Sequence, residues 1–121
     1  MRFIHASDLH IDSPLRGLDR YDGAPVERLR SATRSALERL VDRALTERVD
    51  FLLLAGDIYD RDWQDFHTGL FFRGQMVRLE RAGIRCFIVQ GNHDAQGVIS
   101  RQLTLPSNVT VFSSRAAQTV K

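Results

Sequence analysis

The middle of the chain contains the run Asp50-Phe51-Leu52-Leu53-Leu54-Ala55-Gly56-Asp57, in which five consecutive apolar residues end in glycine and a carboxylate. An unbroken apolar run predicts a strand buried on both faces, as in a parallel sheet. Two other runs repeat the pattern: Arg2 to Ala6 precedes Ser7-Asp8-Leu9-His10, and Arg85 to Gln90 precedes Gly91-Asn92-His93-Asp94. The sequence therefore predicts three strands, each followed by polar residues.

Two amphipathic segments separate these strands. The spacing of apolar residues predicts a first helix from Pro25 to Arg48 and a second from about Asp65 to Arg81, which Gly83 ends. The expected core contacts of the second helix are Leu70, Phe71, Met76, Val77 and Leu79. A further strand is predicted from Asn108 to Phe112. The fold class is therefore α/β, a mostly parallel sheet in βαβαβ order followed by one more strand.

Length and composition restrict the class of protein. The 121 residues, 43% hydrophobic and 26% charged, predict a single domain over residues 1–121. The net charge of +2 is too small to indicate a nucleic-acid binder by itself. The amino terminus does not resemble a signal peptide, and no apolar run approaches the roughly 18 residues of a membrane span. The lone cysteine, Cys86, fits a reducing compartment, so we expect a cytoplasmic protein.

The polar residues after the strands predict a metal site. Ligands of open α/β sheets bind beyond the carboxyl ends of the strands, where all three polar clusters lie. Carboxylates and imidazole without thiolate suit Mn²⁺, Fe²⁺ or Zn²⁺. In an extended backbone Asp8 and His10 would point the same way, and Asp57 could bridge two ions. The spacing of Asp8 and His10 often occurs by chance, and Gly91-Asn92-His93-Asp94 alone could be a simple turn. The prediction therefore rests on the coincidence of three clusters at successive strand ends.

The three motifs together resemble those of calcineurin-like metallophosphoesterases. They are Asp8-Leu9-His10, Gly56-Asp57-Ile58-Tyr59-Asp60 and Gly91-Asn92-His93-Asp94. The stretch from Phe3 to Leu18 further resembles the opening of bacterial DNA repair exonucleases of the SbcD-like branch. The resemblance implies that the chain is the N-terminal half of an α/β/β/α sandwich. It also implies hydrolysis of DNA phosphodiesters.

The resemblance also implies roles for individual residues. Asp8 and His10 would bind a first metal ion, Asp57 would bridge two ions, and Asn92 would bind the second. His93 would contact the phosphate and help to protonate the leaving oxygen. Asp60 would orient His93, and Arg61 would face the substrate phosphate. The implied cofactors are two divalent ions, with Mn²⁺ favoured over Fe²⁺ or Zn²⁺, and the implied partners are DNA and an ABC-type coiled-coil ATPase subunit.

The chain departs from the family pattern after its third motif. The family adds three downstream histidines, but the 27 residues after Asp94 contain no His, Asp, Glu or Cys. We therefore expect an incomplete second metal site and a fragment that could be inactive alone. A phosphatase or nucleotide phosphodiesterase of the same superfamily is one alternative function. The other is a non-catalytic module that binds DNA or a partner chain, including a second copy through an exposed sheet edge.

Overall fold

The computed structural model describes residues 1–13, 21–23, 25–59, 65–90, 104–113 and 115–121, except for the side chain of Arg30. Four strands form one sheet in the order β1-β2-β3-β4, and every neighbouring pair is parallel. The strands are β1 (Phe3–Ser7), β2 (Phe51–Gly56), β3 (Arg85–Gln90) and β4 (Val109–Phe112). Helix α1 (Val26–Glu47) connects β1 to β2, and α2 (Phe66–Arg81) connects β2 to β3. The predicted βαβαβ order with a fourth strand is confirmed.

The core lies between the two helices and one face of the sheet. Right-handed crossovers between strands in sequential order place successive helices on the same face. The buried core accordingly combines residues of α1 and α2 with alternate residues of the two central strands: Leu37, Val41, Ala44, Phe72, Met76, Leu79, Leu52, Leu54, Cys86 and Ile88. The single cysteine, Cys86, is thus fully buried in the core.

The core stripe of α2 differs from the predicted one. Its buried residues are Thr68, Phe72, Gln75, Met76 and Leu79. Leu70, which the sequence placed in the core, is 44% exposed, whereas the nearby Phe72 is fully packed. The prediction was wrong for Leu70, because two phenylalanines and a leucine in succession leave the helical register ambiguous. The predicted burial of Met76 and Leu79 is confirmed, and Phe71 packs partly buried against the core.

The opposite face of the sheet is not covered by either helix. It carries a row of stacked or edge-on aromatic rings, in which Phe3 contacts Phe51, Phe51 contacts Phe87 and Phe87 contacts Phe112, with centroids 5.0, 5.5 and 5.9 Å apart. Phe3 and Val89 are 49% and 44% exposed. Burial on both faces, as predicted from the apolar runs, is seen among the described residues only in the middle of β3, where Cys86, Phe87 and Ile88 are all buried. Neither described helix has an apolar stretch long enough to cross a membrane.

Candidate metal site

The site lies where β1 and β2 end. Ser7 pairs with Ala55, and Ala55 pairs with Val89, so the three strands end in register along one edge. The backbone beyond β1 continues to bond to the backbone beyond β2. The amide of Asp8 donates to the carbonyl of Ala55 at 3.0 Å, and that of His10 donates to the carbonyl of Asp57 at 3.1 Å. These bonds bring the two polar motifs side by side.

Asp8, His10 and Asp57 form a compact group of possible metal ligands. One ligand atom from each residue lies within 4.8 Å of the others. Asp57 is buried, His10 is half-buried and Asp8 is exposed, so the group opens to solvent on one side. Two carboxylates and an imidazole match the ligand preferences of Mn²⁺, Fe²⁺ and Zn²⁺. The predicted meeting of these three residues is therefore seen, and the set fits a divalent cation.

Gly56 makes room for this group. Its φ of +80° belongs to the left-handed region that favours glycine. A Cβ placed on Gly56 would lie 2.5 Å from Oδ1 of Asp8, well inside van der Waals contact. The amide of Asp57 also donates to this Oδ1 at 3.4 Å. The glycine before Asp57 is thus required both by its backbone angle and by the carboxylate that lies against it.

The way in which Asp8 and His10 come together differs from the prediction. An extended backbone would place alternate side chains on one side, but Asp8 has φ +52° and His10 has φ +43°. Left-handed backbone angles at Asp8 and His10 therefore orient the two side chains towards Asp57. The turn is anchored by Ile11, which is fully buried and whose amide donates to the carbonyl of Ile58 at 2.9 Å.

Next to this turn lies an ion pair that the sequence did not predict. Nε of Arg34 donates to both carboxylate oxygens of Asp12 at 2.8 and 2.9 Å. The hydroxyl of Thr68 donates to the same carboxylate. The hydrogen bond to Asp12 raises the pKa of Arg34 above its ordinary value. No local sequence pattern indicated this contact, because Arg34 and Thr68 lie 22 and 56 residues from Asp12 in the chain.

The remaining predicted site residues lie outside the described part of the chain. They are Asp60 and Arg61, which follow β2, and Asn92 and His93, which follow β3. Their roles as orienting residue, phosphate contact, metal ligand and proton donor stay predictions.

A parallel sheet with two carboxylates and a histidine at its carboxyl edge is suited to binding a divalent cation. In agreement, the family model for calcineurin-like phosphoesterases matches residues 1–117. The chain therefore belongs to the calcineurin-like metallophosphoesterase family, whose members depend on metal ions.

Two curated relatives indicate the branch of the family that the chain resembles. The metallophosphoesterase YhaO of Bacillus subtilis is 38% identical over 114 residues, which cover 94% of this chain and 28% of the relative. The SbcD component of the nuclease SbcCD of Escherichia coli is 29% identical over 117 residues, which cover 94% of this chain and 27% of the relative. The chain thus spans less than a third of the length of either protein.

Proposed function

We propose that this chain is the metal-binding part of an enzyme that hydrolyses phosphodiester bonds in DNA. The observation that carries the proposal is the convergence of Asp8, His10 and Asp57, with one ligand atom of each within 4.8 Å of the others. Asp57 is also buried at the end of a central strand, where an ion bound beside it would balance the charge of its carboxylate.

The residues have distinct roles in this proposal. Asp8 and His10 would hold a first divalent ion, Asp57 would contribute to both ions, and Asn92 would contribute to the second. When bound, such ions supply Lewis-acid activation of the phosphodiester and of the attacking water. His93, oriented by Asp60, donates a proton to the leaving oxygen. Arg61 binds a non-bridging phosphate oxygen with its planar guanidinium.

The proposal further specifies DNA as the substrate and Mn²⁺ as the metal ion. Similarity to a protein named as part of a nuclease supports DNA as the substrate and a second type of chain as the partner. Mn²⁺ agrees with the mixture of carboxylate and imidazole ligands. The relative with the higher identity is named simply as a metallophosphoesterase, a name that specifies no DNA substrate. The second candidate is therefore a phosphatase or nucleotide phosphodiesterase of the same superfamily.

The test uses the full-length protein with Mn²⁺ and two substrates, an end-labelled linear DNA duplex and a chromogenic phosphodiester. We expect nucleotide release from the duplex that stops on chelation. We also expect His93→Ala to lower kcat by about 10²- to 10⁴-fold. His67→Ala is the matched control, because His67 is an exposed histidine of α2 that does not belong to the site.

Each other result rejects the proposal in a recognisable way. Hydrolysis of the chromogenic substrate without action on DNA supports the second candidate. DNA binding that survives chelation, with neither substrate hydrolysed, supports the non-catalytic module.

A further inference from the structure

The loop that carries the proposed metal ligands has an unfavourable backbone. Asp8, His10 and Asp12 are non-glycine residues with φ of +52°, +43° and +55°. Left-handed conformations bring Cβ close to the backbone carbonyl and are disfavoured for such residues. Three of them at alternate positions persist only where the surroundings hold them in place. The left-handed conformation of this loop is therefore maintained by its contacts with the sheet and the helices.

On one side the loop is held by the sheet. The amides of Asp8, His10 and Ile11 all donate to backbone carbonyls of the segment from Ala55 to Ile58, at 2.9 to 3.1 Å. The buried side chain of Ile11 adds an apolar anchor. These contacts fix the half of the loop that is nearest to β2.

On the other side the loop is held by the two helices through the carboxylate of Asp12. Nε of Arg34 donates to both oxygens of this carboxylate, and Nη2 donates to Oδ2 at 2.5 Å. The Thr68 hydroxyl donates to Oδ2 as well and accepts from Nη2 of Arg34 at 3.3 Å. The backbone amide of Asp12 donates to the hydroxyl of Thr33 at 3.1 Å. Asp12 thus connects the loop to α1 and α2 simultaneously.

The burial of Asp12 and Thr68 distinguishes this network from an ordinary surface ion pair, whereas Arg34 is 38% exposed, close to the 40% of Arg78. The side chain of Asp12 is 12% exposed, and Thr68 is fully buried. Arg34 also lies over the ring of Phe71, with its guanidinium carbon 5.1 Å from the centroid. By contrast, the pair between Asp42 and Arg78, which also connects α1 to α2, leaves the carboxylate 59% exposed.

We infer that Asp12, Arg34 and Thr68, here called the Asp12 network, are positioning residues that hold Asp8 and His10 ready to bind metal. The inference rests on the proposed metal site. The carbonyl of His10 accepts from the amide of Ser13 at 3.1 Å, so Asp12 lies inside the turn that begins at His10. Without the network, the carboxyl-terminal half of the loop would relax from its left-handed turns. The ligands would then have to be ordered when the ion binds.

The first test measures Mn²⁺ binding to the full-length protein by calorimetry. Asp12→Ala should weaken binding about 10- to 100-fold, the range found when groups that orient metal ligands are removed. Thr68→Val keeps the shape of the side chain and removes its hydroxyl, so it should weaken binding as well. Thr68→Ser restores the hydroxyl and should bind close to wild type. Asp42→Ala is the matched control and should bind like wild type.

The second test needs no metal. In metal-free protein, hydrogen exchange of the backbone amides from Asp8 to Ser13 should be faster in Asp12→Ala and Thr68→Val than in wild type. It should stay unchanged in Thr68→Ser and Asp42→Ala. This measurement detects the order of the loop directly and does not depend on catalysis.

Several outcomes would overturn the inference. Wild-type affinity and wild-type exchange in Thr68→Val would show that the hydroxyl does not position the loop. Loss of Mn²⁺ binding in Asp12→Ala with no change in exchange would make Asp12 itself a ligand. If wild type does not bind Mn²⁺, the proposed function fails, while the exchange measurement still decides whether the network holds the loop.

Discussion

The two ends of the sheet contain similar backbone conformations that serve different purposes. At the amino end, Arg48 and Gly83 have φ of +48° and +71°. Both follow the last turn of a helix, where a left-handed residue commonly satisfies the final carbonyls. At the carboxyl end, Asp8, His10 and Gly56 have comparable angles, but they lie at or just beyond the ends of strands. Asp8 and His10 are possible metal ligands, and Gly56 precedes the third, Asp57. The same local strain ends helices at one end and shapes a site at the other.

The ion pairs of the two ends differ in the same way. At the amino end, Arg2 reaches Glu47 at 3.0 Å with side chains that are 65% and 33% exposed, so solvent screens the pair. At the carboxyl end, the pair of Asp12 and Arg34 is more buried and receives a further hydrogen bond from Thr68. The distances in the two pairs are similar and do not distinguish them. We propose a role beyond stability for the pair of Asp12 and Arg34 because its carboxylate is more buried and belongs to the left-handed loop.

The largest expected effect is on the reactivity of Cys86, which is buried near the amino end of β3. Burial raises the pKa of the Cys86 thiol to about 12. At pH 8 about one part in 10,000 would be thiolate, against about a quarter for an ordinary thiol with a pKa near 8.5. Disulfide reagents should therefore react with native protein about 1,000-fold more slowly than with urea-unfolded protein. Prompt reaction in native conditions would mean that this end of the sheet opens readily.

A pair of glycine substitutions compares the two ends directly. Gly56→Ala and Gly83→Ala both force a Cβ into a left-handed conformation, and each should lower the free energy of unfolding by about 1–3 kcal/mol. A Cβ on Gly83 meets nothing within 4 Å, whereas one on Gly56 meets the carboxylate of Asp8. Mn²⁺ binding by the full-length protein should therefore weaken in Gly56→Ala alone. Denaturant unfolding and calorimetry measure the two quantities, and equal Mn²⁺ affinities for the two variants would refute the difference between the ends.

The smallest expected effect is at the exposed ion pair. Arg2→Ala removes the contact with Glu47 and should lower the free energy of unfolding by at most about 1 kcal/mol. It should leave the affinity for Mn²⁺ unchanged, because Arg2 lies at the end of the sheet opposite to the metal ligands. Thermal unfolding and calorimetry test both statements. A change in Mn²⁺ affinity would show that the amino end is coupled to the site.

The fold was largely predictable from the sequence. The bounds of β3 match the prediction, and the other strands and both helices begin and end within one residue of it. Local signals account for this success, since Asp65 caps α2 by accepting from the amide of His67 and Gly83 follows its end. It was harder to predict which residues of a helix face the core, as the exposure of Leu70 shows. The reason is that the register of a short apolar run depends on tertiary packing.

The site was predictable in its residues but not in its geometry. The residues Asp8, His10 and Asp57 could be expected together because parallel strands end at one edge. The left-handed turns could not be foreseen, because Asp and His adopt such angles more often than most non-glycine residues but adopt extended angles far more often. Arg34 and Thr68 were missed for a different reason. They are 22 and 56 residues from Asp12, and polar residues at such distances have no local pattern that connects them.

Binding of Mn²⁺ to the full-length protein, measured by calorimetry for wild type, Asp57→Asn and Asp42→Asn, tests the central claim most directly. Asp57 is buried beside Asp8 and His10, whereas Asp42 is an exposed carboxylate of α1. We predict binding by wild type and Asp42→Asn. For Asp57→Asn we predict a loss of more than about 100-fold, because removing groups that merely orient ligands already costs about 10- to 100-fold. Equal affinities for wild type and Asp57→Asn would contradict a metal site at the carboxyl edge of this sheet.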